Sequence, residues 1–289
     1  MIMHIRKSIA NIFTIINLLL GFISIALVSL SFIESQNHIK IACSLIFVAA
    51  LIDVFDGKIA RKLGTTGEFG KEIDSLADLV SFCLAPAIII FFYSYDILDL
   101  NLSYLIILSS FPLVFGAIRL AKFNAYEEHS DQSYYIGLPT PSNAIFICSS
   151  MLFMFNMDFI LYDKDLVAMF GLIESNYQES FIVFHWMKYP FSLIYSINDY
   201  VVVSLCCFSS LLLISKVNYS KFPTLKFGLD YINSINIIAI LFFFVILFIS
   251  IINKQYHIVM LFFISYYIVS GLIKIVIKKI KFLGRKYES

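Results

Sequence analysis

Four aspartates in one short stretch of an otherwise apolar chain are the residues best suited to chemistry. In LIDVFDGKIARKLGTTGEFGKEIDSLADLVSFCLAP (51–86), Asp53 and Asp56 are three apart and Asp74 and Asp78 four apart. On helices each pair therefore shares a face. Two antiparallel helices joined by a short loop would aim both pairs at one spot. Burying a single carboxylate already costs several kcal/mol, so four together demand a counter-charge. A divalent cation supplies it, and an all-oxygen donor set selects Mg²⁺ or Mn²⁺ over zinc. Gly57 leaves the helix surface bare for close approach of a ligand, and Ala60 keeps the same face open. Arg61 and Lys62 stand beside the cluster, where they can hold phosphate oxygens. Metal-bridged phosphate flanked by cations is the recurring apparatus of phosphoryl transfer. The pairs alone also suit the ion path of a cation transporter.

The elements that must position these residues are set by composition. Of 289 residues, 60% are hydrophobic and 14% charged, with a mean hydropathy of +0.87. A soluble domain needs roughly a quarter of its residues charged, so much of this surface faces lipid. Apolar blocks of about 20 residues span a bilayer as helices. The sequence predicts eight of them, at about 9–33, 40–57, 75–95, 102–121, 142–162, 192–215, 232–252 and 257–277. The expected fold is an all-α polytopic bundle. Assigning loops to alternate sides puts all but Lys40, Lys164, Lys188 and Lys254 of the 21 Lys and Arg together. By the positive-inside rule that side is cytoplasmic, with both termini and the aspartates on it. The stretch 157–191 mixes apolar runs with acids and holds the single tryptophan, Trp186. It reads as an interfacial helix or a folded cap on the non-cytoplasmic side. Cys43, Cys83, Cys148, Cys206 and Cys207 all fall in apolar segments without a Cys-x-x-Cys pair, and read as packing residues.

The complete spacing is more specific than the pairs. Asp53, Asp56, Gly57, Ala60, Arg61, Gly70, Asp74 and Asp78 fill every fixed position of Asp-x-x-Asp-Gly-x-x-Ala-Arg, eight residues, then Gly-x-x-x-Asp-x-x-x-Asp. This resembles the signature of the CDP-alcohol phosphatidyltransferases, most clearly over about 9–145 and faintly to about 226. The resemblance implies a six-helix catalytic core, commonly dimeric, that displaces CMP from a CDP-linked lipid by attack of an alcohol hydroxyl. It divides the chain into a catalytic membrane domain, 1–226, and two added helices with a basic tail, 227–289. Carried onto this sequence, Asp53, Asp56 and Asp74 would bind one metal, and Asp53, Asp74 and Asp78 would face a second. Asp78 would also be the general base. Gly57, Ala60, Arg61 and Gly70 would line the CDP-lipid site, and so would Thr14 and Asn17 in NIFTIINLLLGF (11–22).

Three further segments, IDSLADLVSFCLAPA (73–87), GAIRLAKFN (116–124) and GLPTPSNA (137–144), resemble the phosphatidylserine synthase branch of that family. A zwitterionic acceptor needs a cation for its carboxylate. Arg119 and Lys122, with Asn124 assisting, are the candidates, and the expected substrates are CDP-diacylglycerol and L-serine. A homodimer in the bilayer is expected, with no nucleic-acid partner. Two departures from the branch stand out: Cys83 where glycine is usual, and Ala10 where proline is usual. Other acceptors (glycerol phosphate, inositol phosphate, choline) would use the same chemistry, but the phosphorylated ones need more cations than this segment offers. A transporter would place its carboxylates near mid-bilayer and often shows inverted repeats. Here they sit at span ends beside arginine and glycine, with no repeat.

Overall fold

The computed structural model describes residues 2–30, 37–63, 68–98, 100–127, 134–162, 199–220, 243, 245–252 and 255–287. Nearly all of them are helical. Helix α1 (Ile2–Leu30) packs along α2 (Asn37–Leu63), and α3 (Glu68–Asp78) returns against α1. A π-helical stretch, Leu79–Leu84, carries α3 into α4 (Ala85–Ile97) without a break. Then follow α5 (Leu102–Ser109), α6 (Phe111–Lys122), α7 (Thr140–Tyr162), α8 (Asp199–Ile214) and a last helix, Tyr256–Tyr287.

Five of these helices are long and apolar enough to cross a membrane: Ile12–Leu30, Asn37–Phe55, Glu68–Tyr95, Leu102–Ala125 and Tyr256–Ile275. Two shorter apolar helices, Thr140–Met154 and Asp199–Ile214, overlap the fifth and sixth predicted spans. Of the seventh, only 243 and 245–252 are described. Ile12, Ile15, Leu19 and Phe22 of α1 remain exposed, as expected of side chains that meet lipid rather than water. The chain is an integral membrane protein of the all-α polytopic class.

The segment 54–72, which links the second and third apolar blocks, is mostly helix. The second helix continues to Leu63 and α3 begins at Glu68, an acidic residue in the first turn, where it complements the helix dipole. The run 59–63 contains no helix breaker, so nothing ends α2 at the close of its apolar block. Of the stretch 157–191, residues 157–162 belong to the end of α7, and the rest lies outside the described residues.

Two prolines shape the interior. Pro86 lies in the first turn of α4, immediately after the π-helical stretch. It has no N–H to continue the helical ladder, and the widened turn before it absorbs the mismatch. Pro112 likewise lies in the first turn of α6 and cannot bond to the Leu108 carbonyl. That carbonyl instead accepts from the Cys207 thiol of α8 at 3.4 Å. All five cysteines are free and buried, four of them in the main hydrophobic core.

Two three-residue strands, β1 (Tyr134–Ile136) and β2 (Asn218–Ser220), pair antiparallel with Tyr135 opposite Tyr219. Gly137 follows β1 at φ 78°, a conformation that disfavours a side chain, and a Cβ there would strike the Leu213 carbonyl. The Gly137 N–H bonds Val217 at 2.8 Å and the Leu138 N–H bonds Leu212 at 3.0 Å, tying the start of α7 to the end of α8.

The last helix lies beyond the part of the chain where the family resemblance was legible, yet it packs into the same core. Ile264 and Ile268 belong to the main hydrophobic cluster. The Tyr256 hydroxyl meets Ser44 of α2 at 2.6 Å, and its ring stands edge-on to Phe47 at 6.1 Å. Further along, Tyr267 lies against Tyr219 at 5.3 Å between ring centres, and Gly271 gives the Tyr219 ring room that a Cβ would fill.

Candidate active site

Three of the four aspartates converge. Carboxylate oxygens of Asp53 on α2 and of Asp74 and Asp78 on α3 all lie within 4.8 Å of one another, and the three residues are half-buried. Like charges so close repel, so the arrangement calls for a cation. A hard, all-oxygen donor set fits Mg²⁺ or Mn²⁺, and one Asp78 oxygen is buried with no hydrogen-bond partner among the described residues. An orphaned buried carboxylate oxygen inside an acidic cluster is what a metal site presents when its ligands are already placed. Asp56, Gly57, Ala60 and Arg61 lie on the same helix as Asp53, but their surroundings lie outside what is described. Gly70 is half-buried on α3, one helical turn before Asp74.

Helix α1 is the spine that sets the distance between the carboxylate-bearing helices. Thr14 and Asn17 face inward from it and are buried. The Asn17 amide is a neighbour of the Asp78 carboxylate, while the Asn17 backbone carbonyl accepts a 2.8 Å bond from the Ser81 hydroxyl. One turn on, Gly21 faces the same Ser81, whose backbone and side chain occupy the space a Cβ would need. The π-helical stretch therefore presses directly on α1, and this contact fixes Asp78 beside Asn17.

The opposite wall comes from α6. Arg119, in its last turn, is 9% exposed and lies within electrostatic reach of Asp78 and Cys83. Lys122, one turn further, is exposed. Asn124 is held in a reciprocal pair with Ser75: its amide donates to the Ser75 hydroxyl at 2.9 Å, and Ser75 returns a bond to its carbonyl at 3.2 Å. Of the three acceptor-binding candidates, Arg119 comes within electrostatic reach of Asp78, and Asn124 is bonded to Ser75, the residue after Asp74. Lys122 is left at the surface. Cys83 reaches Gly116 of α6 so closely that a Cβ on Gly116 would collide with its sulfur. The thiol that replaces the usual glycine is thus accommodated by a glycine across the interface.

Ser75, Ser81 and Gly21 escaped the sequence reading because serine and glycine are common helix-packing residues in membranes. Only the adjacency of Ser75 to Asp74 hinted at a role. Tyr267, also within electrostatic reach of Arg119, was missed because it belongs to the last helix.

An apolar helical bundle that brings three carboxylates together, with a buried arginine within electrostatic reach of one of them, presents a membrane-embedded polar centre whose donor set fits a divalent cation. The chain belongs to the CDP-alcohol phosphatidyltransferase family, whose sequence profile it matches over residues 7–194. It is 28% identical over 280 residues to the CDP-diacylglycerol–serine O-phosphatidyltransferase of Helicobacter pylori (strain J99), covering 96% of this chain and 95% of that one. It is 34% identical over 145 residues to the enzyme of the same name from Methanocaldococcus jannaschii, covering 50% and 61% of the two chains. With the archaetidylserine synthase of Methanothermobacter thermautotrophicus it shares 32% over 144 residues, covering 49% and 57%. The H. pylori match runs through nearly the whole chain, past residue 194, where the family profile stops.

Proposed function

We propose that this enzyme transfers the phosphatidyl group of CDP-diacylglycerol to the hydroxyl of L-serine, giving phosphatidylserine and CMP. The observation that carries the reading is the convergence of Asp53, Asp74 and Asp78 within 4.8 Å, with Arg119 beside Asp78. The names of the relatives support serine as the acceptor. One buried arginine next to the base also matches the single carboxylate of a zwitterion, whereas a phosphorylated alcohol would call for more cations.

Divalent Mg²⁺ or Mn²⁺ on Asp53, Asp56, Asp74 and Asp78, in a two-metal site, would neutralise the pyrophosphate and the charge that develops on it. The chain's own residues do the rest. Asp78 accepts the proton of the serine hydroxyl, the serine oxygen forms its bond to the phosphorus bearing diacylglycerol, and the bond from that phosphorus to the CMP oxygen breaks. Asn17, buried beside Asp78, keeps the base oriented toward the acceptor. Arg119 pairs with the serine carboxylate, so the hydroxyl is delivered to Asp78 rather than the ammonium group. Arg61 and Lys62 hold phosphate oxygens of the donor, and Gly57, Ala60 and Gly70 leave space for the nucleotide. Thr14 lines the nucleotide side. The site and both termini face the cytoplasm, and the active form is a homodimer.

The test is CMP release from CDP-diacylglycerol by the purified protein, with each candidate alcohol and with or without Mg²⁺ or Mn²⁺. Metal-dependent release with serine, and not with glycerol phosphate, inositol phosphate or choline, is the expected result. Release with another alcohol and not with serine would overturn the acceptor. Arg119→Ala should raise the serine KM about tenfold or more while the CDP-diacylglycerol KM stays put. An unchanged serine KM removes Arg119 from that role.

A further inference from the structure

Asn17 is 1% exposed in the middle of α1, and neither polar atom of its amide has a hydrogen-bond partner among the described residues. An unpaired buried amide is a standing cost, and leucine would fill nearly the same space without it. Asparagine at this position calls for a partner that arrives with a ligand. The packing of α1 shows where that ligand must lie. The Ser81 hydroxyl donates to the Asn17 backbone carbonyl at 2.8 Å, and Gly21, one turn beyond Asn17, abuts the Ser81 backbone. Successive spans reverse direction, so α1 and the run from α3 into α4 point the same way. Asn17 lies four residues before Gly21 and Asp78 three before Ser81, displacements of about 6 Å and about 4.5 Å toward the same end. The two residues therefore stand at one level on facing helices.

Asp78 keeps one buried oxygen unpaired among the described residues. A carboxylate only accepts, so the amide presents its N–H groups to that side, and its oxygen is left as a second buried acceptor. Two such oxygens side by side ask for a group with several donors. In serine the hydroxyl and the ammonium stand on adjacent carbons, about 3–4 Å apart in any staggered rotamer. With the hydroxyl at Asp78, the ammonium must fall among the immediate neighbours of Asp78. The neutral amide oxygen bonds it without adding a negative charge to the cluster. Helix α6 approaches the same run separately: a Cβ on Gly116 would strike the Cys83 sulfur, and Arg119 follows Gly116 by one turn. An acceptor oxygen from α1 and a guanidinium from α6 match the two charged groups on the serine α-carbon.

We infer that the Asn17 amide oxygen accepts a hydrogen bond from the ammonium group of the acceptor, which makes Asn17 a specificity-determining residue for an amino alcohol. The inference rests on serine as the acceptor. It moves Asn17 from the nucleotide side of the site, where Thr14 remains, to the acceptor side.

The experiment is steady-state CMP release by the purified full-length protein, wild type, Asn17→Leu and Asn17→Ser, with L-serine and with 3-hydroxypropionate, which keeps the hydroxyl and the carboxylate but lacks the ammonium. Where 3-hydroxypropionate does not turn over, its affinity is read as competitive inhibition of the serine reaction. The wild type should favour serine about tenfold or more, and Asn17→Leu should narrow that preference about tenfold through the serine KM. Asn17→Ser keeps a hydroxyl acceptor on a shorter side chain and should narrow it less. Disturbed orientation of Asp78 lowers kcat without changing the ratio of the two affinities, so the ratio decides. An unchanged ratio in Asn17→Leu would overturn the inference, as would a rise confined to the CDP-diacylglycerol KM. If Asn17→Leu does not fold, the same two results in Asn17→Ser overturn it. Should the wild type release CMP with another alcohol and not with serine, the acceptor reading fails first, a result distinct from any of these.

Discussion

Asp78 and Asp199 are both carboxylates on buried helix faces, and the bundle treats them in opposite ways. Asp78 stands with Asp53 and Asp74 in a cluster of like charge, half-buried, with one oxygen unpaired among the described residues. Asp199, at the start of α8, belongs to no such cluster among the described residues and is 1% exposed. One of its oxygens accepts a 2.5 Å bond from the Tyr93 hydroxyl of α4, while the other, like one oxygen of Asp78, has no hydrogen-bond partner among the described residues. The fifteen residues from Asp78 to Tyr93 put about 22 Å of helix between the two sites. The first arrangement raises the folding free energy of the empty protein and is tolerable only because a cation offsets the repulsion. The second ties two helices together through a neutral donor and brings no second carboxylate near it among the described residues. A carboxylate in a membrane bundle therefore announces chemistry by its company, not by its burial.

The contrast is broken most directly by removing the charge at each site. Asp78→Asn should lower kcat about 10³-fold, roughly 4 kcal/mol of barrier, with serine and CDP-diacylglycerol both saturating. In the metal-free protein the same change should raise the thermal midpoint, because one of three mutually repelling charges is gone, and Mg²⁺ or Mn²⁺ should stabilise the variant less than the wild type. A midpoint lowered in metal-free buffer would mean that the cluster is structural. Tyr93→Phe should behave in the reverse sense. It leaves Asp199 buried without its donor, at a cost of about 3 kcal/mol in stability, while CMP release by the folded fraction stays within about threefold. Asp199→Asn keeps an acceptor oxygen and should cost less. A large loss of kcat in Tyr93→Phe, with the midpoint held, would erase the distinction between the two sites.

Between these extremes lies the packing that holds the site. Gly116→Ala drives a methyl group into the Cys83 sulfur and should destabilise the protein by about 2 kcal/mol. Adding Cys83→Gly opens the space again, so the double variant should recover most of the lost midpoint and activity. Without that recovery, the close approach of α6 to the π-helical stretch is not what limits position 116.

Much of this was legible in the residues themselves. The Asp spacing placed Asp53, Asp74 and Asp78 on facing helix surfaces because a helical period is short-range and survives any tertiary packing. Apolar block length likewise marked the helices, since the bilayer sets their minimum. Helix ends were less legible: α2 and α3 run on past their apolar blocks, because nothing in 59–63 breaks a helix and the hydropathy signal stops where lipid does. The β1–β2 pairing joins Tyr135 to Tyr219 across more than eighty residues, a contact no local pattern encodes. The contact between Tyr219 and Tyr267 was invisible for the same reason: they read as two aromatics among many until strand and helix meet.

The smallest expected effect belongs to the pair beside the cluster. Asn124 and Ser75 satisfy each other with two bonds, 2.9 and 3.2 Å, joining the end of α6 to α3 one residue from Asp74. Were Asn124 chiefly a substrate ligand, Asn124→Ala would lower kcat/KM for serine whatever occupies position 75. Were the pair chiefly a clamp on Asp74, either single change would cost about 1 kcal/mol in stability, and the double variant would cost little more than one single. Since both polar groups of the amide are already engaged, the expected result is a coupling energy of about 1 kcal/mol in the thermal unfolding cycle, with serine KM in Asn124→Ala within about threefold of wild type. A coupling near zero with a raised serine KM would instead return Asn124 to the acceptor pocket. The carboxylate end would then hold a second residue that, like Asp78, is placed for a ligand rather than for the fold.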